Sequence, residues 1–264
     1  MNRIDNKFKD LKSQGKKAFV AYITAGDPDI RRCVDIIYAL EASGVDILEL
    51  GVPFSDPLAD GVVNQMASQR SIEHGTTLVK ILEMVRKVRK HINIPIVLFT
   101  YYNPVLKYGV DRFSRDAQKS GVDGVLVLDL PPEEAEELRP ILSVNRIHMI
   151  LLAAPTSTPK RIQLISEKAS GFIYYVSRTG VTGMQKEISS DLKKKVSYIK
   201  KQSNVPVVVG FGVSNCEQVR TLAASSDGVV VGSAIVQQIG LYQNRTGLIP
   251  HIKHFVRGLV SGLH

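Results

Sequence analysis

Residues 46–61 read D-I-L-E-L-G-V-P-F-S-D-P-L-A-D-G. An apolar run carries Glu49 in its middle, and the loop after it, stiffened by Pro53 and Pro57, carries Ser55, Asp56 and Asp60. A carboxylate inside an apolar strand is a local inconsistency, and such conflicts mark functional sites. Outward from this stretch the chain repeats one rhythm. Strand-like apolar runs fall at 18–24, 47–50, 94–100, 124–130, 147–152, 172–176, 205–209 and 229–231. The phrase S-G-V-D introduces the second run at 43–46 and the fourth at 120–123, with shorter echoes before the sixth and eighth. Helical spacing fills the gaps, at about 30–42, 62–74, 78–91, 111–120, 133–143, 159–168, 188–203, 215–224 and 246–262, with Asp27 or Asp29 placed to cap the first of these.

Near-continuous apolar strands alternating with amphipathic helices imply a parallel sheet covered on both faces. Eight such units in 264 residues fit a closed (β/α)8 TIM barrel better than an open doubly wound sheet. No Gly/Ser-rich linker divides the chain, so a single domain over 1–264 is expected. Residues 2–12 supply an extra N-terminal helix to plug the bottom of the barrel.

Composition narrows the function classes. The net charge is +9, but the basic residues are scattered. In 78–91 they fall between Leu78, Ile81, Leu82, Val85 and Val88 as the polar face of an amphipathic helix. A nucleic-acid footprint needs clustering with base-reading or stacking residues, so no nucleic-acid partner is expected. Cys33 and Cys216 are far apart and form no CxxC, as for buried thiols in a reducing compartment. No run approaches the roughly 18 apolar residues of a membrane helix, and the charged start M-N-R-I-D-N-K-F-K-D has no apolar signal region. A cytoplasmic location without membrane contact is expected. The histidines show no HExxH or i, i+4 pairing, so no catalytic metal is expected.

In such barrels functional residues sit at the C-terminal ends of strands and in the following loops. That rule gathers Thr24, Glu49, Asp60, Asp129, Tyr174 and Tyr175 at one mouth. Two carboxylates from neighbouring elements suit acid–base work, one environment raising a pKa and the other leaving its group ionised. The strand interiors hold no Lys or Arg to pair with Glu49. Asp56, beside Pro57, fits a site residue or an Asx-turn equally well. The last three strands end in glycine, at 177–183 (S-R-T-G-V-T-G), 210–212 (G-F-G) and 232–233 (G-S). Glycines let backbone N–H groups approach an anion, and a short helix opening at Ser233 would add its dipole. With no lysine in a strand for a Schiff base, the residues point to acid–base cleavage or isomerisation of a phosphorylated small molecule.

Y-I-T-A-G-D-P (22–28), the opening stretch, Y-Y-N-P (101–104), S-R-T-G-V-T-G, G-F-G-V-S (210–214) and V-G-S-A-I-V (231–236) together resemble the tryptophan synthase α subunit, in order and over nearly the whole chain. The resemblance implies a (β/α)8 barrel that cleaves indole-3-glycerol phosphate to indole and glyceraldehyde 3-phosphate. It makes Glu49 the acid/base that protonates the indole ring carbon, and Asp60 the partner of the ring N–H. Tyr22 and Tyr174 become substrate-binding tyrosines, and Thr182 helps to position Asp60. Gly183, Phe211, Gly212, Gly232 and Ser233 belong to the phosphate cradle. Loops 53–60 and 177–190 would close over substrate. A pyridoxal-phosphate-dependent β subunit is the implied partner in an α2β2 assembly. It would receive indole and own the only cofactor, with Pro53, Ser55, Asp56, Asn103 and Pro104 as contacts.

Two departures stand out. Where the family has proline and then an apolar pocket residue two positions on, this chain has Val62 and Asn64. Two other readings stay open: a sugar-phosphate isomerase or epimerase on the same barrel, and a regulatory α subunit with a weak site of its own. An indole-release assay with and without a β subunit separates all three.

Overall fold

The structure is a computed structural model that describes residues 2–176, 185–210 and 212–263, with backbone alone for 185–191. Eight strands, β1 (Ala18–Thr24), β2 (Ile47–Gly51), β3 (Ile96–Thr100), β4 (Gly124–Val127), β5 (His148–Ala153), β6 (Ile173–Val176), β7 (Val207–Gly210) and β8 (Gly228–Val231), pair in chain order. Every pairing is parallel, and β8 closes on β1. The expected barrel is the fold found.

Alternation along the strands separates two cores. On β1, Phe19, Ala21 and Ile23 join the layer between sheet and helices. Ala18 and Val20 join Ile47, Val97, Leu126, Ile150, Phe172, Val208 and Val230 inside the barrel. Ile4, Phe8 and Leu11 of helix α1 (Arg3–Ser13) belong to that inner cluster, so α1 closes the bottom. Its start is fixed by a capping box between Asn2 and Asp5.

Helices α2 (Ile30–Glu41), α3 (Val62–Glu73) and α4 (Leu78–Val88) follow the spacing read from sequence. Asp29, not Asp27, caps α2, accepting from the N–H of Arg32. Asp27 is fully buried and takes two hydrogen bonds from Arg70 on α3.

The Y-Y-N-P stretch opens helix α5 (Tyr102–Tyr108), which ends at Gly109 with φ +89° before α6 (Val110–Ser120) begins. Pro104 is tolerated there because it lies in the first turn, where N–H groups have no intrahelical acceptor. β4 stops at Val127 rather than at residue 130. The helix expected over 133–143 splits into a 3-10 turn (Ala135–Glu137) and α7 (Arg139–Val144), since Pro140 cannot sit in the middle of a continuous helix. Then come α8 (Pro159–Lys168), α9 (Gln185–Gln202), α10 (Cys216–Ala223), α11 (Ser233–Tyr242) and α12 (Leu248–Val260). Helix α11, the short helix foreseen after the eighth strand, packs on β1 and α3. No helix among the described residues is long and apolar enough to cross a membrane.

Candidate active site

The register of β1 and β2 decides which side chains share the mouth. Val20 pairs with Ile47, Tyr22 with Glu49 and Thr24 with Gly51. Residues paired across a parallel ladder point to the same face. Glu49 and Tyr22 therefore stand one layer above the apolar floor of Val20 and Ile47. Glu49 is 1% exposed, and neither carboxyl oxygen has a hydrogen-bond partner among the described residues. An ionised carboxylate so placed would be strongly disfavoured, and burial pushes its pKa up to about 8. Glu49 is thus mostly protonated at neutral pH.

Three glycines make room for the tyrosines beside it. A Cβ at Gly51 would run into the hydroxyl of Tyr22, and one at Gly232 would sit 3.2 Å from the Tyr22 Cβ. A Cβ at Gly210 would come within 2.9 Å of the Tyr174 hydroxyl. Burial raises the pKa of both tyrosines. The next contribution is the charge of Asp60 for Tyr22 and that of Glu49 for Tyr174, so the two phenols lie in the field of the two carboxyls. The edge of Tyr22 also meets Phe99, with ring centroids 5.1 Å apart. Tyr22, Ala67 and Val236 form a small apolar cluster above the barrel floor, flanked by Val63 and Phe99.

Asp60 is held by a residue that sequence reasoning did not single out. Tyr101, one position past the end of β3 and 5% exposed, donates its hydroxyl proton to Asp60 Oδ2 at 2.9 Å. The same phenol oxygen accepts the N–H of Ala59 at 3.0 Å. Its ring lies 5.1 Å from that of Phe54. Gln65 Nε2 donates to the Asp60 carbonyl at 2.8 Å. Burial raises the Asp60 pKa, while the Tyr101 hydroxyl and the nearby Asn64 amide act in the opposite direction. The environments of the two carboxyls therefore differ in kind: Glu49 has no donor, and Asp60 has several.

Thr24, also expected at the mouth, is buried with its hydroxyl oxygen near Tyr22. Tyr175 belongs to the outer core, because it alternates with Tyr174 along β6, so it does not face the mouth. Asp129 lies beyond β4 and is exposed; it accepts the N–H of Tyr102 at 2.7 Å and so caps α5 instead of joining the site. On the opposite rim, β7 ends at Gly210 and β8 at Val231. Gly212 has φ +70°, and Gly232 precedes the first turn of α11, which opens at an exposed Ser233. The N–H groups that open that turn have no intrahelical acceptor, which is the arrangement suited to an anion. Thr182, Gly183 and Phe211, with most of the loop 177–190, lie outside the described residues. Ser55 and Asp56 are exposed and bonded to each other at 2.6 Å. Pro53 is half-buried beside them, and Asn103 and Pro104 sit in the first turn of α5. Among the described residues no group of three or more His, Cys, Asp or Glu could hold a metal ion.

The family model described as tryptophan synthase alpha chain matches residues 8–259. The tryptophan synthase alpha chain of Caldanaerobacter subterraneus subsp. tengcongensis is 46% identical over 259 residues, covering 98% of each chain. That of Geobacter sulfurreducens is 51% identical over 237 residues, 90% of each. Among solved structures, tryptophan synthase subunit alpha from Legionella pneumophila str. Paris superposes with a TM-score of 0.93 at 36% identity, covering all of this chain and 98% of the other. Tryptophan synthase from M. tuberculosis in its aminoacrylate-bound form gives 0.89 at 32% identity, with full coverage of both chains. The chain belongs to the tryptophan synthase alpha chain family.

Proposed function

We propose that Glu49 and Asp60 carry the reaction of this alpha chain, the retro-aldol cleavage of indole-3-glycerol phosphate to indole and glyceraldehyde 3-phosphate. The observation that supports the assignment most directly is the Glu49 carboxyl, buried inside the barrel and without a hydrogen-bond partner among the described residues. Kept neutral by burial, it can donate its proton to the ring carbon that bears the glycerol chain. That step leaves a cation delocalised onto the ring nitrogen, and Asp60, whose carboxylate accepts the hydroxyl proton of Tyr101, is the group to stabilise it. Glu49, now a carboxylate, takes the proton of the adjacent glycerol hydroxyl. The O–H electrons become the aldehyde carbonyl, the carbon–carbon pair returns to the ring, and indole is restored. The proton lent in the first step is recovered in the last, and two carboxyls in unlike surroundings divide the work.

Tyr22 and Tyr174 shape the ring pocket. Gly212, Gly232 and Ser233, with Gly183 and Phe211, hold the phosphate at the far rim and so fix where the ring must lie. Thr182 is proposed to help position Asp60. Indole passes to a β subunit in an α2β2 complex, which contributes pyridoxal phosphate. The exposed Ser55 and Asp56, with Pro53, Asn103 and Pro104, form the contact surface.

Glu49→Gln is expected to abolish indole release from indole-3-glycerol phosphate, with or without a β subunit, while the folded barrel and its binding to that subunit persist. Turnover at the wild-type rate in the Gln variant would remove Glu49 from the mechanism.

A further inference from the structure

Glu49 lies inside the barrel with both carboxyl oxygens sealed from solvent, and the ladder register shows what seals it. Its floor is Ile47 and Val20, and its paired neighbour on β3 is Val97. On the mouth side, the next position on the same face of β2 is Gly51, since side chains two apart on a strand share a face. With no side chain there, the way from the mouth to the carboxyl would stand open. Tyr22 closes it. A Cβ at Gly51 would collide with the hydroxyl of Tyr22 and come within 2.7 Å of its Cζ and 2.9 Å of its Cε2. The far end of the ring therefore rests on the Gly51 backbone, one layer nearer the mouth than Glu49.

The near end of the ring is held as well. A Cβ at Gly232 would stand 3.2 Å from both Cβ and Cδ1 of Tyr22. The ring edge meets Phe99 of β3, and Ala67 of α3 and Val236 of α11 pack against it. One side chain thus bridges β1 and β2 across the mouth side of Glu49. While it lies there, a substrate entering from the mouth cannot touch the carboxyl, so the ring has to give way before a proton is transferred. Whatever takes its place must be apolar and at least as large, or water would reach the carboxyl. The indole ring of the substrate meets that description.

We propose that Tyr22 is a positioning residue that forms an exchangeable roof over Glu49: its ring keeps the carboxyl dry until substrate arrives, and the substrate ring then replaces it on the mouth side. The exchange for an indole ring rests on the lyase reading above; the roof itself does not. Burial is the cause that raises the Glu49 pKa, and Tyr22 is the part of that burial contributed by a single side chain at the rim. The ionisable groups that face Glu49 are the phenols of Tyr22 on β1 and Tyr174 on β6, and Asp60 acts on Tyr22 as well. Val97 and Phe99, beside it on β3, carry no charge.

The two states separate in the pH dependence, because kcat/KM reports ionisations of the free enzyme and kcat those of the enzyme–substrate complex. The test uses the full chain as wild type, Tyr22→Phe, Tyr22→Ala and Tyr22→Val, the last a strand-compatible side chain should the Ala variant not fold. In the Ala and Val variants the alkaline limb of kcat/KM for indole release is expected to move by about one pH unit or more to the acid side, as for a carboxyl partly released from burial. The alkaline limb of kcat is expected to stay with wild type, because the substrate ring supplies the roof in the complex. Tyr22→Phe keeps the ring, so both of its limbs are expected to coincide with those of wild type. Carbon-13 NMR titration of the Glu49 carboxyl, assigned by its loss in Glu49→Gln, follows the roof without substrate and is expected to move to lower pH in Ala and Val but not in Phe. A Glu49 titration or a kcat/KM limb that superimposes on wild type in both small variants would overturn the proposal. So would a Phe variant that shifts as far as Ala, or limbs of kcat and kcat/KM that move together. Absence of indole release from the wild-type chain would instead refute the lyase reading and leave the NMR titration to decide the roof.

Discussion

At the scale of single residues the site is built by contrast between neighbours. Glu49 has no donor beside it, whereas Asp60 is surrounded by donors. Tyr101 supplies one of those donors and fixes the loop as well, since its oxygen joins the Asp60 carboxyl to the Ala59 N–H. Tyr101→Phe deletes both bonds without opening a cavity. A hydrogen bond to a charged group contributes about 1.5–3 kcal/mol, so kcat/KM for indole release should drop by roughly 10- to 100-fold, and the same loss in the folded state should lower the thermal midpoint by several degrees. Steady-state kinetics beside a melting curve check this; equal kinetics for Phe and Tyr would leave Asp60 oriented by other groups. Glu49 was legible in sequence because a carboxylate conflicts with an apolar run. Tyr101 was not, because a tyrosine at the end of an apolar strand reads as ordinary core, and only the fold brings it to Asp60, which lies 41 positions earlier. Asp129 shows the reverse case: as a carboxylate near a strand end it looked chemical, yet its bond to the Tyr102 N–H makes it a helix cap.

At the scale of elements, α1 is a plug and not an appendage. Ile4 is fully buried in the inner cluster, and Gly124 of β4 makes room for it, since a Cβ there would stand 3.0 Å from Ile4 Cδ1. Ile4→Ala would leave a hole between α1 and β4, at a cost of about 2–5 kcal/mol. The denaturation midpoint should fall accordingly, while kcat/KM stays unchanged, because Ile4 lies at the opposite end of the barrel from Glu49 and Asp60. A loss of activity without a loss of stability would contradict the division into a stabilising bottom and a reactive top. The plug was legible from its apolar spacing. Helix α5 was not: seven residues with a proline in the first turn give too short a pattern, and its start depends on a cap from a different loop.

Over the whole molecule the barrel was readable because eight apolar runs recur with helices between them, and parallel pairing in chain order is how such units close. The electrostatic consequence of that closure was not readable, since it depends on how completely the barrel dries Glu49. A group whose folded pKa is raised to about 8 from an ordinary 4.5 binds its proton more tightly in the native than in the unfolded chain. Stability therefore declines as pH rises from about 4.5 to about 8 and levels off above that. Each tenfold difference in proton affinity between the two states is worth about 1.4 kcal/mol, so the full loss from this one carboxyl is at most about 5 kcal/mol. Glu49→Gln removes the titration. Urea unfolding of the wild type and the Gln variant should give similar stabilities near pH 4.5, with a gap that widens in favour of Gln up to about pH 8 and is constant beyond. The same proton governs the reaction, so wild-type kcat/KM should fall as pH rises through about 8. Stability curves of the two proteins that stay parallel across that whole window would show that Glu49 is ionised in the folded barrel, and the acid step would then need another donor.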